Sequence, residues 1–171
     1  VMRLVEDGRL ILDQRVRTVL GDDLPLIDDA VTIEHLLTHT SGIGDYLDES
    51  LIASSDEYVM PVQVHRLATI EDYLPLLDAH TAVSEPGSTF EYNNGGFVVL
   101  ALIAERLAQV PFHELVAERV WEPAGMAHTG FLRSDELPGT AAVGYLDADG
   151  LRTNVLHLPV RGSGDGGAFT T

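Results

Sequence analysis

Lysine is missing altogether from these 171 residues: all ten basic side chains are arginine. A phosphate-cradling P-loop needs a lysine and is thereby excluded. Cysteine is missing too, which excludes disulfides and thiolate chemistry while leaving the redox compartment open. Positive charge is scarce, with 27 acidic residues against 10 basic and a net charge of −17. Such a surface repels nucleic-acid backbones and anionic lipid, so neither is expected as a partner. Long apolar runs are lacking as well. The longest, Phe97 to Ala104, falls far short of the ~20 residues that cross a bilayer. No Gly-x-Ser-x-Gly surrounds any serine, which closes the α/β-hydrolase route. No internal repeat, low-complexity tract or signal peptide is visible.

What is present suits one ordinary folded domain, since 45% of the residues are hydrophobic. The opening "VMRLVEDGRL" reads as the tail of a helix, with Val1, Met2, Leu4 and Val5 as its apolar face and Gly8 as its stop. A chain that opens inside a helix is expected to be a piece of a longer one. The alternation of Leu10 and Leu12 predicts a short extended piece, then a turn or two of helix, then loop. Thr32 is an N-cap for a helix carrying Ile33, Leu36 and Leu37 on one face, with Ser41-Gly42 ending it. Residues 47–66 read as helix interrupted near Pro61. Thr69 should cap a further helix, with Glu71 and Asp72 in its first turn and Pro75 close behind. The strongest helix spans Phe97–Val110 and is apolar on nearly every face, hence buried all round. Pro111 closes it and can open the next, "PFHELVAERVW". From Glu122 onward the texture predicts short strands joined by turns, with Asp149-Gly150 a hairpin tip.

Several patterns suggest chemistry and then fail. His35 and His39 lie one helical turn apart, as zinc ligands do, but Leu36 stands where a zinc hydrolase places its glutamate. A pair of structural histidines is the better reading, and no metal or cofactor is expected. "GSGDGG" at 162–167 fits a dinucleotide glycine pattern by letter, yet Asp165 would face a pyrophosphate and no helix or ribose-binding acid follows. Ser41 has no evident base, and His39 to Gly42 read as a polar turn whose hydroxyls satisfy loop backbone.

Tyr92 and Asn94 remain. They stand two apart, after Pro86-Gly87 and at Gly95-Gly96, where a plain helix cap needs neither. In an extended or turning segment such residues project to one side. A phenol can relay a proton, while a carboxamide orients a neighbouring cation or the amide of a substrate.

Four stretches occur in order around that pair: "GRLILDQRV", "TIEHLLTHTSGI", "EPGSTFEYNNGGFVVLALIAERL" and "EPAGMAHTGF". Together they resemble the serine β-lactamase-like family of class C β-lactamases, DD-peptidases (penicillin-binding proteins) and related esterases. The resemblance runs over essentially the whole chain. It implies an α+β fold, a helical lobe beside an antiparallel sheet with the active site in the cleft between them. Residues 1–121 would form mainly the helical lobe, and 122–171 a strand- and loop-rich part.

The implied reaction is acyl transfer: a serine attacks a β-lactam, peptide or ester carbonyl, and water releases the acyl-enzyme. Tyr92 corresponds to the family's tyrosine, poised to take and return a proton. Asn94 corresponds to its asparagine, hydrogen-bonding the lysine of a Ser-x-x-Lys motif and the substrate. Without lysine that motif cannot occur here; it is expected upstream of Val1, and the third family motif beyond Thr171. "HTG" at His128–Gly130 matches that third motif by letter only, because it sits in the stretch resembling a "PLGM-x-x-T" segment, where Ala124 replaces the usual leucine. His128 is therefore read as a surface loop residue. The segment alone is expected to be inactive and prone to self-association. The alternative is a non-catalytic binding module of the same fold. Localisation stays open, the resemblance being compatible with a periplasmic, secreted or cytoplasmic protein.

Overall fold

The computed structural model describes residues 1–47, 59–147, 149 and 152–171. Its axis is α5 (Asn94–Ala108), buried on every side from Val98 to Ala104. Three shorter helices pack on it: α2 (Arg17–Leu20), α3 (Ile33–Leu37) and α6 (Phe112–Val116). The N-terminal α1 (Met2–Glu6) and the short α4 (Leu74–Leu77) complete the α-helices among the described residues, with 3-10 turns at Val64–Arg66 and Glu71–Tyr73. Leu4, Leu10, Val16, Val31, Ile33, Leu36, Leu67, Ile70 and Leu76 fill the core around α5. Beyond a π-helical turn at Ala117–Trp121 lies a two-stranded antiparallel hairpin, β1 (Tyr145–Asp147) with β2 (Arg152–Thr153). The described residues are thus α+β, with helices early and the hairpin late. No single helix among them is long and apolar enough to cross a membrane.

The local signals act much as read, with shifts that have physical causes. Gly8 ends α1 in the left-handed region, but Met2 is exposed and leaves the apolar face to its neighbours. The Leu10–Leu12 stretch joins no ladder; the nearest pairing is an isolated bridge between Arg15 and Thr32. Thr32 caps α3 in a reciprocal box, its hydroxyl accepting from the His35 N–H while His35 Nδ1 accepts from the Thr32 N–H. The helix stops at Leu37, well before Ser41-Gly42, because His39 turns left-handed at φ 55°. Helix α5 starts three residues before Phe97, since Asn93 Oδ1 accepts the Gly96 N–H and draws both glycines into the first turn. It ends at Ala108, where Gln109 turns left-handed at φ 58°. Pro111 is the N-cap of α6 and stands outside its first turn. Most of 47–66 lies outside the described residues, as does Gly150 of the expected hairpin tip, while Asp149 sits in a turn.

The cap at 69–72 runs opposite to expectation. Thr69 caps nothing; Asp72 Oδ2 accepts from the Thr69 hydroxyl and from the N–H groups of Thr69 and Ala68. Burial raises the Asp72 carboxyl, but those bonds, helped by Arg66, outweigh it and hold the pKa below its ordinary 3.8. A depressed carboxyl stabilises the fold above its unfolded pKa, and the contribution fades as pH falls below about 4 through the folded value. Asp72→Asn should therefore show a flatter loss of urea resistance than the parent between about pH 7 and about pH 3. Parallel pH profiles for the two proteins would contradict this.

Candidate active site

The first turn of α5 is built on one side chain, Asp45, and two backbone carbonyls, Ile43 and Leu47, from the segment that follows α3. Asp45 Oδ1 accepts the Gly95 N–H at 2.8 Å, and its Oδ2 accepts the Asn94 N–H at 2.8 Å. The Asn94 side chain, buried to 7% exposure, donates from Nδ2 to Asp45 Oδ2 at 3.2 Å and to the Leu47 carbonyl at 3.1 Å. Asn93 Nδ2 donates to the Ile43 carbonyl at 2.8 Å. Three successive residues of the Tyr-Asn-Asn-Gly stretch are therefore pinned to residues 43–47.

Tyr92 is held differently. Its ring lies 4.5 Å from the His39 imidazole at an interplanar angle of 31°, and His39 stacks at 5.0 Å on Phe97. The left-handed backbone of His39 turns its ring toward α5, where Nδ1 accepts the Asn93 N–H at 3.1 Å. That bond requires an unprotonated Nδ1. Tyr92 itself is 62% exposed, so its ring is braced from below while its face meets solvent.

Tyr92 and Asn94 both line one cleft of about 440 Å³, together with His39, Phe97, Trp121, Phe131 and Asp165. Asn94 also borders a neighbouring cavity of about 780 Å³ with largely apolar walls, among them Leu132, Leu146, Leu158 and Val160. Between the two cavities runs the 162–167 loop. Asp165 accepts from the Tyr46 hydroxyl and from the Ser163 hydroxyl, so it is engaged inside the fold and faces no phosphate site. Gly164 lies against α5, where a Cβ would come within 2.1 Å of the Phe97 carbonyl oxygen. Burial pushes the Tyr46 phenol far up, reinforced by Asp165, and burial likewise raises Tyr73. Both phenols stay protonated, which leaves Tyr92 as the solvent-facing phenol of the three. His113 meets the start of that loop, its Nε2 2.8 Å from the Gly162 carbonyl; burial lowers its pKa more than that carbonyl raises it.

The other candidates are used structurally. His35 completes the α3 cap, and His39 braces Tyr92, so the two histidines serve different neighbours. Among the described residues no group of three histidines and carboxylates is placed to hold a metal. Ser41 is buried at 3% exposure, and His128 is exposed in a turn. The 39–42 turn does satisfy backbone, but through the His39 ring; the Thr38 and Thr40 hydroxyls face each other at 2.9 Å. Sequence reasoning missed Asp45 and the Tyr46–Asp165 pair. Nothing local marks them, because their partners are remote in the chain.

A helical unit whose central buried helix opens on Tyr-x-Asn, followed by an antiparallel hairpin, is a segment of the β-lactamase/transpeptidase-like fold. The family model described as Beta-lactamase matches residues 1–171, and the chain belongs to that family. It is 34% identical over 152 residues to Esterase EstB of Burkholderia gladioli, covering 86% of this chain and 38% of the esterase. Among solved structures it is similar to a penicillin-binding protein from Bacillus halodurans, with TM-score 0.88 and 39% identity, covering 99% of this chain and 51% of that one. It is also similar to an octameric penicillin-binding protein homologue from Pyrococcus abyssi, with TM-score 0.72 and 30% identity over 99% of this chain and 38% of that one. The chain thus spans about half or less of the length of these relatives.

Proposed function

We propose that this chain is the part of a serine acyl hydrolase that contributes Tyr92 as proton relay and Asn94 as the carboxamide of the catalytic centre. The observation that carries the reading is that Tyr92 and Asn94 line the same cleft in a member of this family. The serine and lysine lie outside these 171 residues, which contain no lysine. In the reaction the serine oxygen bonds to the carbonyl carbon of a β-lactam, a D-Ala-D-Ala peptide or an ester, and its proton passes to the base formed with Tyr92. The C–N or C–O bond then breaks, the leaving group takes that proton, and water cleaves the acyl-enzyme in a second, like step. Asn94 Oδ1 accepts from the lysine ammonium and holds it beside the serine.

The test is intact-mass measurement of the complete gene product after exposure to a fluorescent penicillin and to p-nitrophenyl butyrate, with the 171-residue chain alongside. An adduct of one acyl group on a serine of the complete product from at least one of the two reagents, and none on the 171-residue chain, is expected. A complete product without Ser-x-x-Lys, or labelling of the 171-residue chain itself, defeats the reading.

The 171-residue chain is also proposed to self-associate, since Val143, Tyr145, Leu156 and Leu158 are all exposed. The Pyrococcus abyssi homologue is octameric. Light scattering that finds a stable monomer at high concentration would remove this.

A further inference from the structure

The Asn94 carboxamide has two N–H donors and one acceptor oxygen. Both donors are spent within the fold, on Asp45 Oδ2 and on the Leu47 carbonyl. Flipping the amide would set its oxygen against a carboxylate and a carbonyl, so the chemistry of the neighbours fixes its orientation. Asp45 in turn cannot swing away. Besides Asn94 Nδ2 it receives the N–H groups of Asn94, Gly95 and, at 3.3 Å, Leu47. Gly95 leaves just enough room for this, since a Cβ there would stand 3.3 Å from Asp45 Oδ1 and 3.2 Å from Leu77 Cδ2. The Asn94 oxygen has no partner among the described residues, and the residue borders both cavities.

We propose that Asp45 is a positioning residue that clamps the Asn94 carboxamide with only its oxygen available to the site, and that the site therefore takes acyl groups without a carbonyl acceptor beside the scissile bond. This rests on the hydrolase reading above. An oxygen-only carboxamide accepts from an ammonium or a substrate N–H, and it repels a substrate carbonyl placed against it. Simple acyl esters meet that requirement. Acylamino substrates that need a donor to their side-chain carbonyl do not.

Two esters with one leaving group isolate the effect, p-nitrophenyl butyrate and p-nitrophenyl N-acetylglycinate, assayed with the complete gene product. The parent should favour the butyrate in kcat/KM by about tenfold or more, and Asp45→Ala should bring the ratio down about tenfold by freeing the Asn94 donor that Asp45 holds, the Leu47 carbonyl keeping the other. Asp45→Asn, which keeps the volume but offers one acceptor oxygen fewer, should shift the ratio the same way by a smaller factor. A role confined to capping α5 would lower both rates together and leave the ratio alone. A second measurement needs no turnover: in [15N]asparagine-labelled complete gene product, the Asn94 side-chain NH2 should exchange with D2O at least about tenfold more slowly than a free carboxamide, and Asp45→Ala should release it. Free-rate exchange in the parent, or an unchanged ester ratio in both variants, overturns the proposal. Absence of turnover on both esters would instead defeat the hydrolase reading, and the exchange measurement would still decide the clamp.

Discussion

Tyr92→Phe in the complete gene product is expected to lower kcat/KM on p-nitrophenyl butyrate by about 10²–10⁴-fold, the range for losing a positioned proton-transfer group. Stability should change by less than about 0.5 kcal/mol. The separation of the two effects follows from the site. The ring contributes through its face, tilted against His39 at 4.5 Å, and phenylalanine keeps that face. The residue is 62% exposed, and its hydroxyl makes no hydrogen bond among the described residues, so its removal leaves no buried group unpaired. A variant that hydrolyses the ester within a few-fold of the parent would show that the phenol is not the proton relay.

Gly42→Ala should be the most damaging single methyl group near the site. Gly42 has φ +68°, a conformation that costs a residue with a Cβ about 1–2 kcal/mol. Space is lacking as well: the added Cβ would lie 2.1 Å from the Ser84 carbonyl oxygen and 2.7 Å from its carbon, backbone atoms that cannot turn aside. Overpacking of this kind costs about 1–3 kcal/mol or more, so the total is on the order of 2–5 kcal/mol. Against a typical domain stability of about 5–15 kcal/mol that is a large share. The damage would reach the site because the next residue, Ile43, holds Asn93 through its carbonyl, and Asn93 caps α5. Urea denaturation of the variant checks the figure. A loss below about 1 kcal/mol would mean that the 42–84 contact yields easily.

How far the molecule could be read in advance differs between its parts. Helix α5 was legible because an unbroken apolar stretch has few alternatives to burial. Its first turn was not, since a pair of glycines reads as a turn until Asn93 is seen to cap Gly96. The hairpin was legible from the texture after Glu122, though among the described residues it is confined to Tyr145–Asp147 and Arg152–Thr153. The family was legible from four stretches in order, and the match over residues 1–171 bears this out. Tyr92 and Asn94 were chosen from three letters and their context. Nothing in those letters says that one ring leans on His39 or that the other side chain has both donors tied.

By itself the sequence determined what depends on near neighbours and on composition. That includes the Thr32 cap, the stop at Gly8, the burial of Val98 to Ala104, the exclusion of lysine and thiol chemistry within these residues, and the acidic surface. Tertiary structure alone decided what requires distant segments to dock. Asp45 meets Asn94 across 49 residues, and Tyr46 meets Asp165 across 119. Hydrogen bonds act over about 3 Å, and no pattern of spacing encodes which remote carboxylate arrives at that distance. The close packing of α5 against α3 and the 162–167 loop brings them there, and so fixes which donors of Asn94 are already engaged.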